Sequence, residues 1–242
     1  MADASTASCA LDPVALAQAL RLASPALPVG GFSYSQGLEW AVEAGWVRDE
    51  ASAQAWIVDG LLLMQARFEL PLLLRLLRCG DDAQRRALDA AYLAAREARE
   101  PREESLRMGH ALKALLDVLP ETVGRESAEC AAPFRPASWP TVFAEACAGL
   151  RIPEAAALAA YAFGWGENQC AAAVKLIPLG QSAAQRILSA LIAALPAALA
   201  EAVARADDDA EAGPLAGLDT SLPALAIACA KHETQYTRLF RS

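Results

Sequence analysis

Apolar residues recur along this chain at helical spacing almost from end to end. After Asp49, for example, Ala53, Ile57, Leu61 and Met64 follow at intervals of three or four residues, which places them on one face of a helix. Alternating runs of β-branched residues, the usual sign of strands, are absent from the sequence. The pattern therefore predicts an all-α protein, a single multi-helix domain of about ten helices with no sheet.

Capping residues and prolines mark where these helices begin and end. Asp12 followed by Pro13 predicts the start of a first helix, because aspartate accepts hydrogen bonds from free amides and proline fits the first helical position. Four prolines between 120 and 140 predict a long connection. Pro196 divides the apolar stretch 180–205 into two predicted helices.

The charge balance excludes one class of function. The chain carries 29 acidic and 21 basic residues, a net charge of −8 at pH 7. Such a chain repels a phosphate backbone, so we expect no binding to nucleic acid. A run of mixed charges at 96–104 predicts a solvated turn between two helices. The apolar fraction of 55% is enough to bury a large core.

Apolar tracts and cysteines indicate the compartment. The most apolar tract, Ile187 to Ala200, is shorter than the roughly 20 residues that a membrane span needs, so we expect a buried core helix and no membrane association. The six cysteines show no Cys-x-x-Cys spacing, and no secretory signal is recognisable before them. We therefore expect free thiols in a cytoplasmic protein.

Residues that could carry chemistry are sparse. The two histidines, His110 and His232, lie far apart in the sequence, so the pattern favours surface or helix-capping histidines over metal ligands. No nucleophile-and-base motif or phosphate-binding loop is present. A stand-alone helical enzyme that uses His232, Glu233 and a cysteine stays an alternative.

Three segments differ from ordinary helical sequence. We call residues 24–39, rich in proline, glycine and serine, the signature segment, and residues 231–242 the C-terminal tail. Chain ends usually fray, so the arginines and aromatic residues of the tail, placed on two faces of a predicted helix, indicate docking on a partner or on the chain's own domain. Lys175 stands among apolar neighbours, where it either reaches solvent or meets an acidic partner.

These segments resemble motifs of the urease accessory protein UreF family. Ser-Pro-Ala-Leu-Pro-Val-Gly-Gly-Phe-Ser-Tyr-Ser-Gln-Gly-Leu-Glu at 24–39 is similar to the family's N-terminal signature. Pro-Leu-Gly-Gln at 178–181 and Gln-Tyr-Thr-Arg-Leu-Phe-Arg-Ser at 235–242 are similar to its central and C-terminal motifs. The motifs also occur in the family's order. The resemblance implies an all-α homodimer that is not an enzyme.

The resemblance further implies a chaperone for nickel insertion. Family members bridge two other accessory proteins, UreD (also called UreH) and the GTPase UreG. The complex delivers nickel to apo-urease during GTP hydrolysis, a step that UreF regulates. The complex would handle the nickel, so we expect neither a cofactor nor metal ligands in this chain. A nickel-storage protein using His232 and cysteine residues is a further alternative.

The matched motifs also imply partner-binding residues and no catalytic ones. In the dimer or GTPase-facing region they are Tyr34, Ser35, Gln36 and Glu39. In the segment that engages the GTPase they are Lys175 and Gln181. In the tail that orders against UreD they are Tyr236, Arg238, Phe240 and Arg241. The chain is thus divided into a mobile N-terminus (1–10), a UreF-like helical domain (11–230) and the partner-docking tail (231–242).

Overall fold

The computed structural model describes residues 12–119, 137–208, 212–219 and 222–242. These residues form a single helical domain without strands, so the predicted all-α class is confirmed for the described part of the chain. The predicted mobile N-terminus, most of the predicted connection 120–140, and two of the six cysteines, Cys9 and Cys130, lie outside the described residues. Cys79, Cys147, Cys170 and Cys229 are free thiols, as expected.

The described ranges contain ten α-helices. They are α1 (Pro13–Ala23), α2 (Leu38–Glu43), α3 (Glu50–Asp59), α4 (Leu70–Leu77), α5 (Asp82–Ala95), α6 (Arg99–Leu116), α7 (Trp139–Gly149), α8 (Glu154–Leu176), α9 (Gln181–Asp207) and α10 (Pro223–His232). A short 3₁₀ turn, Gly31–Ser33, lies within the signature segment. As predicted, the Asp12 carboxylate accepts hydrogen bonds from the first free amides of α1.

The core surrounds a helical rod that crosses the molecule. A π-helical segment, Gly60–Glu69, joins α3 to α4 without a break. All residues of α4 except Arg75 are apolar, and residues 70–76 are buried. The Arg75 guanidinium is itself buried and donates to five main-chain carbonyl oxygens at the end of α9 and in the loop after it. These bonds explain how a charge is accommodated there.

The stretch 180–205 forms part of one helix, α9, so the predicted division at Pro196 is wrong. Packing of α9 against α8, α3, α4 and the π-helical segment offsets the roughly 3 kcal/mol that an internal proline costs. By length and composition alone α9 could cross a membrane, although core helices of soluble proteins pass the same test. Only one face is buried, because Ile187 and Leu191 lie in the core whereas Ile192 and Val203 are exposed.

Two other predictions for local structure are wrong. The mixed-charge run 96–104 is not a solvated turn, since α6 begins at Arg99 and both Glu100 and Glu104 are buried. The C-terminal tail is not a helix beyond His232, where α10 ends. The two errors share one physical cause, because the tail supplies hydrogen-bond donors to the buried acids of α6.

Candidate functional site

The C-terminal tail folds back onto the domain. From Glu233 to Ser242 the chain runs without helix across the ends of α2 and α6. Phe240 is 7% exposed and Ser242 2%, whereas Tyr236 is fully exposed and Leu239 is 74% exposed. The tail therefore has a buried edge that anchors it and an exposed edge that faces solvent.

The buried edge pairs with the signature segment. The amides of Ser35 and Gln36 donate to the main-chain oxygen of Ser242 over 2.5 and 3.0 Å, and the Ser35 hydroxyl donates to the same oxygen over 2.7 Å. The Arg241 amide donates to the Ser33 carbonyl oxygen over 2.8 Å. Two motifs separated by 207 positions, from Ser35 to Ser242, therefore form one structural unit.

Glycine gives the signature segment the shape that this pairing needs. Gly37 has a φ of 81°, a left-handed conformation that glycine adopts without steric cost. A Cβ atom at Gly37 would also lie 2.9 Å from the amide nitrogen of Cys229 on α10. The missing side chain thus lets α2 begin directly against α10, which brings Glu39 next to His232.

Glu39 holds the middle of the tail. Its Oε1 accepts a hydrogen bond from the Leu239 amide over 2.6 Å, and its Oε2 accepts one from the Phe240 amide over 2.9 Å. The carboxylate is buried, and these two main-chain donors compensate its removal from water. The Glu39 carboxylate therefore accepts the two hydrogen bonds that main-chain carbonyl oxygens would accept if Leu239 and Phe240 lay in a helix or a strand.

His232 joins the tail to both helices that carry the acids. Its Nε2 lies 3.1 Å from Glu39 Oε2, and its Nδ1 lies 2.7 Å from Glu100 Oε2. Arg238 donates to the other Glu100 oxygen over 2.6 Å. The prediction of a surface or capping residue is wrong for His232, which has no exposed side-chain area, and it holds for the exposed His110.

The next residue caps α6. Glu233 Oε1 accepts hydrogen bonds from the amides of Arg99 and Glu100 over 2.6 and 3.3 Å. The N-cap position of α6 is Ala98, whose side chain cannot accept a bond, so the tail provides the cap from a distance. The negative charge also suits the positive end of the helix dipole.

Glu104 ties the tail to the interior. Its Oε2 accepts a bond from the Ser242 hydroxyl over 2.9 Å, and its Oε1 accepts one from Gln36 Nε2 over 2.8 Å. The indole N–H of Trp165 donates to Gln36 Oε1 over 2.7 Å and so fixes the orientation of the amide. Burial raises the pKa of Glu104 to about 7, against the downward effect of these hydrogen bonds.

Lys175 lies beside the tail at the end of α8. It is exposed, and its Nζ lies 5.3 Å from the centre of the Phe240 ring, within the range of a cation–π contact. The lysine therefore reaches solvent across an apolar neighbour, one of the two predicted alternatives. Gln181, which we grouped with it, lies exposed at the start of α9.

A cavity of about 220 Å³ lies behind the signature segment. Its polar wall includes Glu69, whose carboxylate accepts bonds from Arg96 and from the Tyr161 hydroxyl, each over 2.7 Å. Burial raises the pKa of Tyr161 well above its ordinary value, so its hydroxyl stays protonated and acts as a donor. These contacts use the polar groups for structure and leave no activated nucleophile among them.

The described residues also give little support to metal or thiol chemistry. No group of three or more His, Cys, Asp or Glu side chains in these residues is arranged to hold a metal ion. Burial raises the pKa of the Cys229 thiol to about 12, so it is not a reactive thiolate near neutral pH. The arrangement weighs against the alternatives that use His232 with a cysteine.

The structure brings together most of the residues that the motifs singled out. The members whose contacts form this unit are Ser35, Gln36, Glu39, Lys175, Arg238, Phe240 and Arg241. Tyr34 lies beside them, and its carbonyl oxygen accepts a hydrogen bond from Asn168 of α8. Tyr34, Ser35 and Glu39 are buried, so in this conformation they support the tail from below. Direct partner contact by any of these residues stays a prediction.

Sequence reasoning missed four residues of the unit: Glu100, Glu104, His232 and Ser242. The spacing of the two glutamates by four residues on α6 was a usable signal, because it places both on one helix face. Their burial could not be inferred, since their partners in the tail lie more than 130 positions away.

Comparisons with known proteins agree with the motifs. The UreF family model matches residues 47–192. Urease accessory protein UreF of Azoarcus sp. (strain BH72) is 50% identical over 94% of this chain and 95% of its own length. The UreF of Cupriavidus necator is 47% identical over 92% of this chain and 96% of its own length.

A third relative is larger. The bifunctional urease accessory protein UreEF of Bordetella bronchiseptica is 50% identical over 99% of this chain, which spans 55% of that protein's length. The other two relatives match from near one end of the chain to the other, and the family model covers the central helices. The chain therefore belongs to the UreF family of urease accessory proteins.

Proposed function

We propose that this protein serves urease maturation by binding other accessory proteins through one face, which we call the tail face. The tail face consists of the C-terminal tail and the signature segment. The observation that carries the proposal is their mutual pairing: Glu39, Ser35 and Gln36 hold residues 239–242 in place. Because the tail is already ordered, it is a preorganised binding surface. A partner binds such a surface at a lower entropic cost than it binds a disordered segment.

The exposed edge of the tail has the composition of an interface centre. Tyr236 and Leu239 are open to solvent, and Phe32 of the signature segment is 62% exposed. Large exposed apolar groups beside arginine are typical of binding hot spots. The charge of Arg238 is paired with Glu100, whereas Arg241 is exposed beside these apolar groups. The matching partner surface therefore offers a pocket for an apolar side chain with an acidic group next to it.

The partners that we propose are UreD (UreH) and the GTPase UreG. In this proposal the tail binds UreD, while the exposed Lys175 and Gln181 engage UreG. The name of the Bordetella relative joins UreE and UreF in one polypeptide, which supports work beside other accessory proteins. Regulation of GTP-dependent metallocentre assembly then follows from holding both partners at once.

In this proposal the chain takes part in nickel delivery to apo-urease without catalysing a reaction and without holding the metal tightly. Three of the carboxylates around the tail, those of Glu39, Glu100 and Glu104, are already bonded to protein groups. They would have to lose those bonds to coordinate an ion. A cytoplasmic homodimer is part of the same proposal.

The exposed tail residues allow a direct test. We expect the double variant Tyr236→Ala/Leu239→Ala to bind UreD at least tenfold more weakly, because hot-spot truncations cost more than about 1.4 kcal/mol. The measurement is the dissociation constant for UreD by calorimetry, with circular dichroism as the check on folding. Truncation of the tail would be a poor test, since it would leave Glu39 and Glu100 buried without partners.

The matched control is Val118→Ala. Val118 is also an exposed apolar residue, at the other end of α6 from Glu100 and about 25 Å away by the helical rise. It should bind UreD as the unaltered chain does. Unchanged binding by the tail variant would show that the tail face is not the UreD site.

A further inference from the structure

The contacts of His232 require more protons than a neutral imidazole carries. Each ring nitrogen faces a carboxylate oxygen, Nδ1 at 2.7 Å from Glu100 and Nε2 at 3.1 Å from Glu39. A neutral imidazole has one N–H and one lone pair, whereas an ionised carboxylate offers only lone pairs. One of the two contacts would therefore be repulsive unless the cluster holds an additional proton.

The other contacts of the two carboxylates indicate where that proton lies. Both oxygens of Glu39 accept main-chain amides, from Leu239 and Phe240, and the second oxygen of Glu100 accepts the Arg238 guanidinium. These donors cannot accept a hydrogen bond, so they favour the ionised form of both carboxylates. The additional proton therefore belongs to the imidazole ring.

Other charged groups lie on the elements around the cluster. Besides Glu39 on α2 and Glu100 on α6, the acids are Glu233, which follows His232 and caps α6, and Glu97 and Glu104, which lie close enough to act on the neighbouring Cys229. The cations are Arg238, already on Glu100, and Arg96, whose guanidinium is paired with Glu69. Lys231 adjoins the ring in sequence and is exposed, and the Cys229 thiol is neutral. The two carboxylates in contact with the ring, those of Glu39 and Glu100, are its nearest charged neighbours, and they stabilise an imidazolium.

We propose that His232 is a buried imidazolium at neutral pH and that it is the positioning residue that seats the C-terminal tail. With both ring protons present, it holds Glu39 and Glu100 in the places where they bind Leu239, Phe240 and Arg238. Loss of one proton turns a lone pair toward one carboxylate, which then moves away and releases its tail contacts. Seating of the tail therefore weakens as the pH rises.

The clamp is a property of the isolated chain, and only its effect on partner capture rests on the proposed function. The chain contains two histidines, so selective ¹⁵N labelling of histidine gives two imidazole spin systems, and a His110→Gln variant assigns them. We expect ¹⁵N shifts of two protonated ring nitrogens for His232 at pH 7.5. One protonated and one bare nitrogen at that pH would overturn the proposal.

A second variant tests the mechanism without removing the histidine. In Glu100→Gln the amide oxygen can still accept the bond from Arg238, and the amide nitrogen can donate to a bare Nδ1. This variant should hold a neutral ring and keep the tail seated. Between pH 6.5 and 9, the amide protection factors of Leu239 and Phe240 should fall at least tenfold further in the unaltered chain than in the variant, because Glu104 contributes the same pH dependence to both chains. Equal pH dependence in both chains would contradict the clamp.

The two proposals fail separately. A doubly protonated His232 together with undiminished UreD binding by the Tyr236→Ala/Leu239→Ala variant would sustain the clamp and refute the tail face as the UreD site. A neutral ring together with lost UreD binding would refute the clamp and leave the tail face in place. Because the first measurement uses the unaltered chain, the result does not depend on whether a His232 variant folds.

Discussion

At the scale of single residues, the buried acids explain how the tail is held. Glu39, Glu100 and Glu104 each accept at least one bond from residues 238–242. The donors to Glu104, Gln36 and the Ser242 hydroxyl, are both neutral. Burial therefore dominates there and raises its pKa from 4.5 to about 7.

This shift gives stability a defined pH dependence. The folded chain binds the Glu104 proton more tightly than the unfolded chain, so the contribution is fully present below pH 4.5 and is lost as the pH rises through 7. The loss is about 3 kcal/mol. We expect Glu104→Gln to raise the Tm by several degrees at pH 8.5 and to change it little at pH 5, as measured by calorimetry.

Glu103→Gln is the matched control. Glu103 lies on the same helix, but its side chain is 44% exposed and its ion pairs with Arg99 and Arg107 are on the surface. Such pairs contribute at most about 1 kcal/mol, so this variant should show no gain at pH 8.5. Equal Tm changes at both pH values in Glu104→Gln would mean that the carboxyl group is not buried as described.

At the scale of helices, the close approach of α2 to α10 creates the seat of the tail. Gly37 and Gly45 border α2, and both have positive φ values, 81° and 73°. A Cβ atom at Gly37 would press on Cys229 and Ala228 of α10, whereas one at Gly45 would meet nothing within 4 Å. Substitutions at the two glycines therefore distinguish the cost of backbone strain, which both share, from the cost of pushing α10 away from α2, which only Gly37 has.

We expect Gly45→Ala to cost only the strain of a left-handed alanine, about 1–2 kcal/mol. Gly37→Ala should cost clearly more in urea unfolding, because α10 must also move away from α2. It should in addition lower the amide protection of Leu239 and Phe240, which Gly45→Ala should leave intact. Equal losses from the two variants would show that the approach of α2 to α10 is not tight.

Local patterns predicted the helices well and their long-range partners poorly. The cap at Asp12 and the helical spacing of apolar residues after Asp49 are properties of neighbouring positions, and the structure has helices at both places. The acidic face of α6 looked solvated because the sequence does not reveal that His232 and Arg238 reach it. Pro196 looked like a break because the packing that keeps α9 continuous is also long-range.

At the scale of the whole molecule, the signature segment and the C-terminal tail form one surface. Motif recognition predicted the family and picked residues from both ends, and the comparisons confirm the family. The sequence could not show that the motifs meet, because 207 positions separate Ser35 from Ser242 and the contact depends on the fold between them. The helical domain therefore supports a short tail whose exposed residues include Tyr236 and Leu239.

Hydrogen exchange of the full-length chain, alone and mixed with UreD and UreG, tests this account most directly. The account predicts added protection in the tail 231–242 and the signature segment 24–39, and no change in the buried rod from α3 to α4. Added protection elsewhere, for example on the exposed face of α9, with the tail unaffected by either protein, would contradict it.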